Sequence, residues 1–389
     1  MILPLAVSGA VASASPAPGG IIKHWGAYFG GPTLPRPYDL QRSPVRLDLP
    51  GRIAEIATSN STQYALLKNG SVYAWGLGNR GQLGDGSTES SFTRPVRVRF
   101  PAGVKIASIP IDVMPYNTGL ALDTTGRVWG WGFNNFGELC LGNRTEYNTP
   151  VRLPLSRVTL LSGAGGHSLF YSGGKVYACG NNTYGELGNG TRRSSHVPVQ
   201  VLDLGTGHVT SLVSAFADSG AVMANGTYYD WGYNGQGQVG NGVPGRSVLA
   251  PYRVPLPAAV QLLAQGGSAQ GNGQTITMLA SGSLYAWGAG SDYQLGTGTT
   301  ANQSSPVPIF APAGVRYRLL ATGGATSYAI STAGNVYAWG ANTFGEVGNG
   351  GIRNVRYPVM VASRATSISA TAADALISVR PRPCGAWVC

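Results

Sequence analysis

The chain has 389 residues, of which 58 are glycine and 25 proline, 43% are apolar and only 11% are charged. Disordered chains combine low hydrophobicity with high charge, so this composition excludes extensive disorder, and glycine does not recur at every third position as in collagen. The net charge of +11 is spread thinly, with no basic run longer than Arg192-Arg193, so a nucleic-acid partner is not expected. No apolar stretch approaches the roughly 18 residues of a membrane-spanning helix.

The N-terminal segment is small and apolar and ends in Ala12-Ser13-Ala14, a pattern typical of a signal-peptidase site. The usual positively charged segment before it is missing. The run is therefore either a secretory signal that begins upstream of Met1 or a disordered leader with no targeting role. We predict such a leader over residues 1–20 and an extracellular or cell-surface protein, with a cytoplasmic or nuclear location as the alternative.

A single sequence motif then recurs along the chain. Its first clear copy is Tyr73-Ala-Trp-Gly-Leu-Gly-Asn-Arg-Gly-Gln-Leu-Gly-Asp-Gly86. The six copies cover residues 73–86, 129–142, 177–190, 229–242, 285–298 and 337–350. Their Trp positions are 48 to 56 residues apart, so the chain is built from repeats.

Each repeat has the same predicted strands. Two short strands precede the Trp and are joined by turn dipeptides such as Asn69-Gly70, Gly173-Gly174 and Asn225-Gly226, which favour tight hairpins. A Pro-Val strand follows the motif, and then a short apolar strand such as Arg318–Thr322. Four strands in about 50 residues are typical of one propeller blade.

The two ends of the chain complement each other. Residues 371–379 resemble the strand before each hairpin, and Ile21-Ile-Lys-His-Trp-Gly26 supplies the missing Trp-Gly half. We therefore predict an all-β, seven-bladed β-propeller over residues 21–380, closed by pairing N- and C-terminal strands in one blade. Residues 381–389 form a tail with a Cys pair.

Four cysteines are present. Cys384 and Cys389 in the tail either close a small disulfide loop or remain free thiols. Cys140 and Cys179 replace a motif Gly and a motif Trp. No Cys or His spacing matches a zinc site, so we predict no metal.

The motif Trp-Gly-x-Gly/Asn-x-x-Gly-Gln/Glu-Leu-Gly-x-Gly, followed by Pro-Val and by Gly165-Gly-His-Ser168, resembles the regulator of chromosome condensation repeat. The resemblance covers roughly residues 21–379. It implies a seven-bladed propeller. The founding member of the family is a nucleotide exchange factor for the small GTPase Ran and binds chromatin. Other members are protein-interaction modules, and a divergent bacterial group inhibits secreted β-lactamases.

No catalytic or cofactor-binding constellation emerges. The segments Gly76–Gly81 and Gly235–Gly240 match G-x-G-x-x-G, but they are turn glycines in a β repeat and not part of a βαβ unit. His167 is the one His that remains in the family's Gly-x-x-His-Ser position, and a structural role is expected for it. The motif acids Glu138, Glu186 and Glu346 occupy the repeat position that holds Gln in the other copies. A position shared by Glu and Gln suits a hydrogen bond between blades better than proton transfer.

Irregular loops are the better guide to binding. The segment Ile109–Asn117 replaces a Gly-rich turn and brings two prolines together with Asp112, Met114 and Tyr116. These three residues are candidate partner contacts. A polar insert over residues 265–274 is the second irregular loop.

Arginines alternate in Arg94-Pro-Val-Arg-Val-Arg-Phe100. A period of two would place Arg97 and Arg99 on one face of a strand. They are either a small anion-binding patch or a solvated outer strand.

We interpret the chain as a monomeric, non-catalytic protein-interaction scaffold that is exported or held at the cell surface, with no cofactor and a protein partner. One alternative is a guanine nucleotide exchange factor or chromatin-associated regulator acting on a small GTPase. Another is an inhibitor of a secreted enzyme such as a β-lactamase.

Overall fold

The architecture is a ring of seven four-stranded antiparallel sheets. The computed structural model describes residues 20–28, 39–59, 62–110, 117–267, 271–371 and 374–380, and every regular element among them is a β-strand. The first two strands in the chain are β1 (Gly20–Tyr28) and β2 (Asp39–Leu49). Blade 1 consists of β3 (Ile53–Ser59), β4 (Thr62–Leu67), β5 (Val72–Gly76) and β6 (Ser91–Arg97).

The next five blades follow in chain order. Blade 2 consists of β7 (Ile106–Ser108), β8 (Thr118–Asp123), β9 (Val128–Gly132) and β10 (Tyr147–Arg152). Blade 3 consists of β11 (Val158–Ala164), β12 (His167–Ser172), β13 (Lys175–Gly180) and β14 (Ser195–Gln200). Blade 4 consists of β15 (Val209–Ser214), β16 (Asp218–Met223), β17 (Tyr228–Gly232) and β18 (Val248–Arg253).

Blade 5 consists of β19 (Val260–Gly266), β20 (Gln274–Leu279), β21 (Leu284–Gly288) and β22 (Gln303–Pro308). Blade 6 consists of β23 (Tyr317–Thr322), β24 (Thr326–Ser331), β25 (Val336–Gly340) and β26 (Val355–Ala362). The chain ends its regular structure with β27 (Ala365–Ala370) and β28 (Asp374–Val379).

Blade 7 joins the two ends of the chain, as the sequence predicts. Its strand order is β2-β1-β28-β27, and β1 pairs antiparallel with β28 from Ile21 opposite Val379 to Gly26 opposite Asp374. The seven-bladed all-β ring and its closure are therefore confirmed. The predicted leader, apart from Gly20, and the tail with Cys384 and Cys389 lie outside the described residues.

One detail of the predicted repeat differs from the structure. The short apolar strand that follows each Pro-Val strand does not complete the same blade. Instead it is the innermost strand of the next blade, as β23 pairs with β24 and not with β22. The innermost strands of blades 3 to 7 and blade 1 contact one another in sequence around the axis, and hydroxyl pairs such as Ser162–Ser214, 3.0 Å apart, link neighbouring blades there.

The core lies between the blades. The motif Trp side chains are fully buried, and each described pairing has the same geometry. The indole Nε1–H donates to the main-chain oxygen of the Gln or Glu in the preceding blade's motif. These bonds are Trp25 to Glu346 (2.6 Å), Trp131 to Gln82 (2.8 Å), Trp231 to Glu186 (2.8 Å), Trp287 to Gln238 (2.8 Å) and Trp339 to Gln294 (2.9 Å). A buried aromatic ring with its polar atom satisfied ties each blade to the next.

Antiparallel pairing defines two faces of the ring. In blades 1 to 6 the start of the second strand pairs with the end of the third, as His167 on β12 does with Gly180 on β13. The connection between strands one and two therefore emerges at the same end as the connection between strands three and four. We call this end the loop face and the opposite end the hairpin face. Among the residues that the structure describes, no helix has the length and apolar character needed to cross a bilayer.

Candidate protein-binding face

The motif loops on the loop face are braced from within. The motif Asn accepts a hydrogen bond from the backbone N–H five residues later, as Asn134 Oδ1 does from Leu139 (2.9 Å) and Asn182 Oδ1 from Leu187 (2.9 Å). The motif Glu or Gln accepts the N–H two residues earlier, as Glu186 Oε2 does from Tyr184 (2.8 Å). The residue before the motif Gly is thus held on a fixed backbone with its side chain free to face solvent.

The prediction for the Glu/Gln slot is therefore only half right. A hydrogen bond does occupy the slot, but the side chain bonds within its own loop, as Glu138 Oε2 does to Phe136 N–H (3.0 Å). The link between blades is made by the main-chain oxygen of the same residue, which accepts the indole. Gln238 is an exception, since its Nε2 also donates to Gly271 of the next blade (2.8 Å). Burial raises the pKa of Glu138 to about 8, with the carboxyl hydrogen bonds opposing this shift.

Aromatic side chains cluster on the motif loops of blades 2 to 4. Phe136 and Tyr184 precede the motif Gly, and Phe133 and Tyr233 follow the Trp-Gly pair. Phe133 and Phe136 of blade 2 meet edge to face with centroids 5.9 Å apart, and Tyr184 of blade 3 meets Tyr233 of blade 4 in the same manner at 4.9 Å. Phe136 is 43% and Tyr184 36% exposed. We call these four residues the aromatic arc.

The two halves of the aromatic arc are connected through blade 3. A Cβ on Gly166, in the turn between β11 and β12, would lie 2.5 Å from the Phe136 ring, so only glycine lets this ring lie over the neighbouring blade. At the other end of the arc, Arg80 of blade 1 lies over Phe133 with its Cζ 5.7 Å from the ring centroid. Arg80 is oriented by a salt bridge to Glu146 (3.1 Å).

The predicted contact segment ends beside this arc, and both of its ends are held in place. Its first end is fixed because Ile109 is buried and its N–H donates to Glu55 Oε2 of blade 1 (2.7 Å). Its other end is fixed because the Asn117 carbonyl accepts the Phe133 N–H (3.0 Å). Asp112, Met114 and Tyr116 themselves lie outside the described residues, so their role stays a prediction.

The two candidate arginines lie elsewhere. Arg97 is exposed and pairs with Tyr73 near the start of β5, which is the hairpin-face end of the strand. Arg99 is also exposed and lies beyond the end of β6, where its N–H donates to the Gly84 carbonyl (2.8 Å). Neither arginine has a hydrogen bond or salt bridge to the described ends of the segment, at Ile109 and Asn117, and their predicted binding role remains untested.

His167 of blade 3 is buried and forms a hydrogen bond inside the fold through its Nε2. Ser219 donates its proton to the Glu186 carbonyl (2.9 Å), so the 2.9 Å contact between His167 Nε2 and Ser219 Oγ must have the His as donor. Burial lowers the pKa of His167 to about 4, which keeps the ring neutral. This arrangement ties blade 3 to blade 4 and fits the structural role expected for His167.

Blade 4 holds a second buried network. Asp230 stands where most repeats have Ala, and it accepts hydrogen bonds at Oδ2 from Tyr228 and from Gln265 Nε2, both at 2.8 Å. Burial raises the pKa of Asp218, beside this group, to about 7. All four side chains are buried, so the network links blade 4 to Gln265 of blade 5 and presents no group to a ligand.

Sequence reasoning missed two features of this molecule. The aromatic arc escaped notice because its residues belong to different blades and adjoin only in the closed ring. The other is a disulfide between Cys140 and Cys179. The signal for it was present, since both cysteines stand at repeat slots where another residue type is the rule.

Comparison with known proteins agrees with this architecture. The profile of the Regulator of chromosome condensation (RCC1) repeat matches residues 69–110, 125–171, 173–215, 281–330 and 333–373, more than half of the chain. The unmatched stretch between residues 215 and 281 covers most of blade 4 with its Asp230 network.

Relatives with curated descriptions include two plant proteins. The chain is 26% identical over 313 residues to the ultraviolet-B receptor UVR8 of Arabidopsis thaliana, covering 80% of this chain and 58% of UVR8. It is 28% identical over 319 residues to the mitochondrial RCC1 domain-containing protein RUG3 of the same plant, covering 76% of this chain and 71% of RUG3.

Solved structures share the fold. Human WBSCR16 superposes with a TM-score of 0.80 at 20% identity, covering 94% of this chain and 100% of that one. Prp20p from Saccharomyces cerevisiae, described with its binding properties to Gsp1p and histones, superposes with a TM-score of 0.78 at 21% identity, covering 94% of this chain and 92% of that one. With the repeats matched by sequence and the ring matched by structure, this chain belongs to the regulator of chromosome condensation (RCC1) repeat family.

Proposed function

We propose that this protein is a non-catalytic interaction scaffold that binds a protein partner through its loop face, on the aromatic arc and the adjoining segment 109–117. The observation that carries the proposal is the arc itself, with Phe136 and Tyr184 exposed on internally braced loops. Aromatic residues held in this way are the usual energetic centres of protein interfaces.

The loop geometry favours binding because little freedom is lost on association. The backbone N–H groups of Phe136 and Tyr184 are already bonded to the motif Glu side chains, so the rings are positioned before a partner arrives. Preorganisation of this kind lowers the entropic cost of binding. Arg80 at the end of the arc adds a planar cation, a second residue type enriched in such centres.

A small GTPase is one candidate partner. The structurally similar Prp20p was described with its binding to Gsp1p, and the propeller ring alone is what the two chains are shown to share. An exchange activity would appear as accelerated release of a labelled guanine nucleotide from a GTPase. Unchanged release would leave the scaffold proposal intact and remove this candidate for the GTPases tested.

The test places a photo-crosslinking amino acid at Tyr184, in the arc, and in a second variant at Tyr357. Tyr357 is a matched control because it is also exposed and forms an aromatic pair, with Phe310 at 5.6 Å, on the outer strand of blade 6. We expect illumination in the native host to give a discrete adduct with one partner from the Tyr184 variant and none from the Tyr357 variant.

The partner identified in this way is then purified and titrated. Phe136→Ala with Tyr184→Ala should weaken its affinity about tenfold or more, whereas Phe310→Ala with Tyr357→Ala should leave the affinity unchanged. Equal adducts at both sites, or equal losses of affinity in both double variants, would refute the loop face as the binding surface.

We further propose that the protein is exported or held at the cell surface. The leader ending in Ala12-Ser13-Ala14 supports this location, as does the disulfide between Cys140 and Cys179, because disulfides persist mainly outside the reducing cytosol.

A further inference from the structure

The interface between each pair of neighbouring blades is built from a Trp of one blade and a Gly of the blade before it. A Cβ added to that glycine would lie 2.7 to 2.9 Å from the indole, closer than real contacts allow. Glycine is therefore required wherever the Trp is present. The five pairs described in this way are Gly84 with Trp131, Gly188 with Trp231, Gly240 with Trp287, Gly296 with Trp339 and Gly348 with Trp25.

The interface between blades 2 and 3 departs from this rule at both positions at once. Cys179 stands in the Trp slot and Cys140 in the Gly slot, and the two are joined by a disulfide with their Cα atoms 5.5 Å apart. Both are fully buried. The sulfur of Cys179 lies 3.3 Å from the main-chain oxygen of Glu138, the atom that would accept the indole N–H in the other interfaces.

A third replacement accompanies the pair. Phe170 on β12 occupies the slot in which four other blades carry alanine: Ala65, Ala121, Ala221 and Ala329. Phe170 is fully buried in the same cluster as Cys140 and Cys179. The larger ring compensates for the volume lost when the indole is absent, since interiors are packed without sizeable voids. Three changes in one interface thus form one coherent alternative to the Trp–Gly contact.

We propose that Cys140 and Cys179 are an oxidative modification site, whose disulfide takes over the inter-blade tie that the indole provides elsewhere in the ring. The S–S bond forms when both thiols lose their protons and together give two electrons to a disulfide oxidant, which leaves as a dithiol. With the thiols unoxidised, this interface has neither the indole nor the covalent bond. The interface between blades 2 and 3 is then the weakest of the interfaces between neighbouring blades.

The first experiment asks whether the bond exists in the protein as its host makes it. The protein is isolated with free thiols blocked by an alkylating reagent, digested without reductant and mapped by mass spectrometry. We expect a peptide pair that links Cys140 to Cys179. Alkylated Cys140 and Cys179, or a link from either to Cys384 or Cys389, would overturn the proposal.

The second experiment asks what the bond contributes. Unfolding is followed thermally for protein refolded with and without dithiothreitol, because a buried disulfide is accessible to reductant only in the unfolded chain. We expect the midpoint to fall by about 5 °C or more when the bond is prevented from forming. Cys140→Ser with Cys179→Ser should show the lower midpoint in both conditions.

A matched control variant restores the Trp–Gly contact that the other described interfaces have. The triple change Cys140→Gly, Phe170→Ala and Cys179→Trp rebuilds the Trp–Gly interface, so its midpoint should no longer respond to dithiothreitol. If the wild-type midpoint is equally insensitive although the mapped bond is present, the disulfide is not the tie we propose. Because none of these measurements involves a partner, they can fail independently of the proposed function.

Discussion

Replacing Glu138 with Gln should stabilise the protein by an amount that grows with pH. Gln already occupies the same motif slot in three other blades, at Gln82, Gln238 and Gln294, and there its side-chain oxygen accepts the same loop N–H. The substitution therefore keeps the loop geometry and removes only the ionisable group. Burial raises the pKa of Glu138 to about 8 from the 4.5 of an exposed Glu.

The direction of this pH dependence follows from where the proton is bound. Between pH 4.5 and pH 8 the folded protein holds the proton on Glu138 and the unfolded chain does not, so this group's contribution to stability is fully present below pH 4.5 and is lost as the pH rises. Each pH unit across that window costs about 1.4 kcal/mol. Relative to wild type, Glu138→Gln should gain about 3 kcal/mol at pH 7 and about 5 kcal/mol above pH 8.

The measurement is the free energy of unfolding by denaturant at pH 5, pH 7 and pH 8.5 for both proteins. The difference in unfolding free energy between the two proteins cancels the contributions of the other titrating groups. Glu89→Gln is the control, because Glu89 is exposed and its variant should differ from wild type by the same small amount at every pH. A difference for Glu138→Gln that does not grow with pH would refute the reasoning.

Two further predictions concern glycine and export. Gly84→Ala and Gly173→Ala both place a side chain at positive φ, at a cost of about 1 kcal/mol. Only Gly84 lies against an indole, because Trp131 atoms would be 2.9 Å from its new Cβ. The new Cβ of Gly173→Ala would have nothing within 4 Å. We expect Gly84→Ala to cost about 1–3 kcal/mol more in unfolding free energy, and equal costs would contradict the packing argument. If the protein is exported, its intact mass outside the cell should correspond to a chain that begins at about Ser15, and a full-length chain confined to the cytosol would contradict export.

The repeat made most of the fold predictable. Strand number, turn dipeptides such as Asn69-Gly70, whose glycine has a φ of +83°, and the completion of one blade by both termini all follow from local patterns that recur. The assignment of the short apolar strand to the next blade was not predictable from the same patterns, because the repeat unit in sequence can be cut at any point. Only the hydrogen-bonded partners of β23 and its equivalents settle it.

The candidate site was less predictable because it depends on contacts between repeats. Phe136 and Tyr184 look like ordinary variable positions until the ring places them on one face. The link between blades was expected from the Glu/Gln side chain, yet it comes from the main-chain oxygen of that residue, which every residue possesses and no sequence pattern reveals. Cys140 and Cys179 are 39 positions apart, and their contact follows only from knowing that the Gly and Trp slots adjoin.

The pairing of β1 with β28 has a consequence for how the molecule would come apart. In an open array of repeats the terminal units have one neighbour each and fray first. Blade 7 removes that asymmetry, because its four strands come from both ends of the described chain and every blade has a neighbour on each side. Loosening one blade must break two interfaces at once, so unfolding is expected to be cooperative around the whole circle. Detaching β1 from β28 would turn the closed circle into a linear stack with two vulnerable ends.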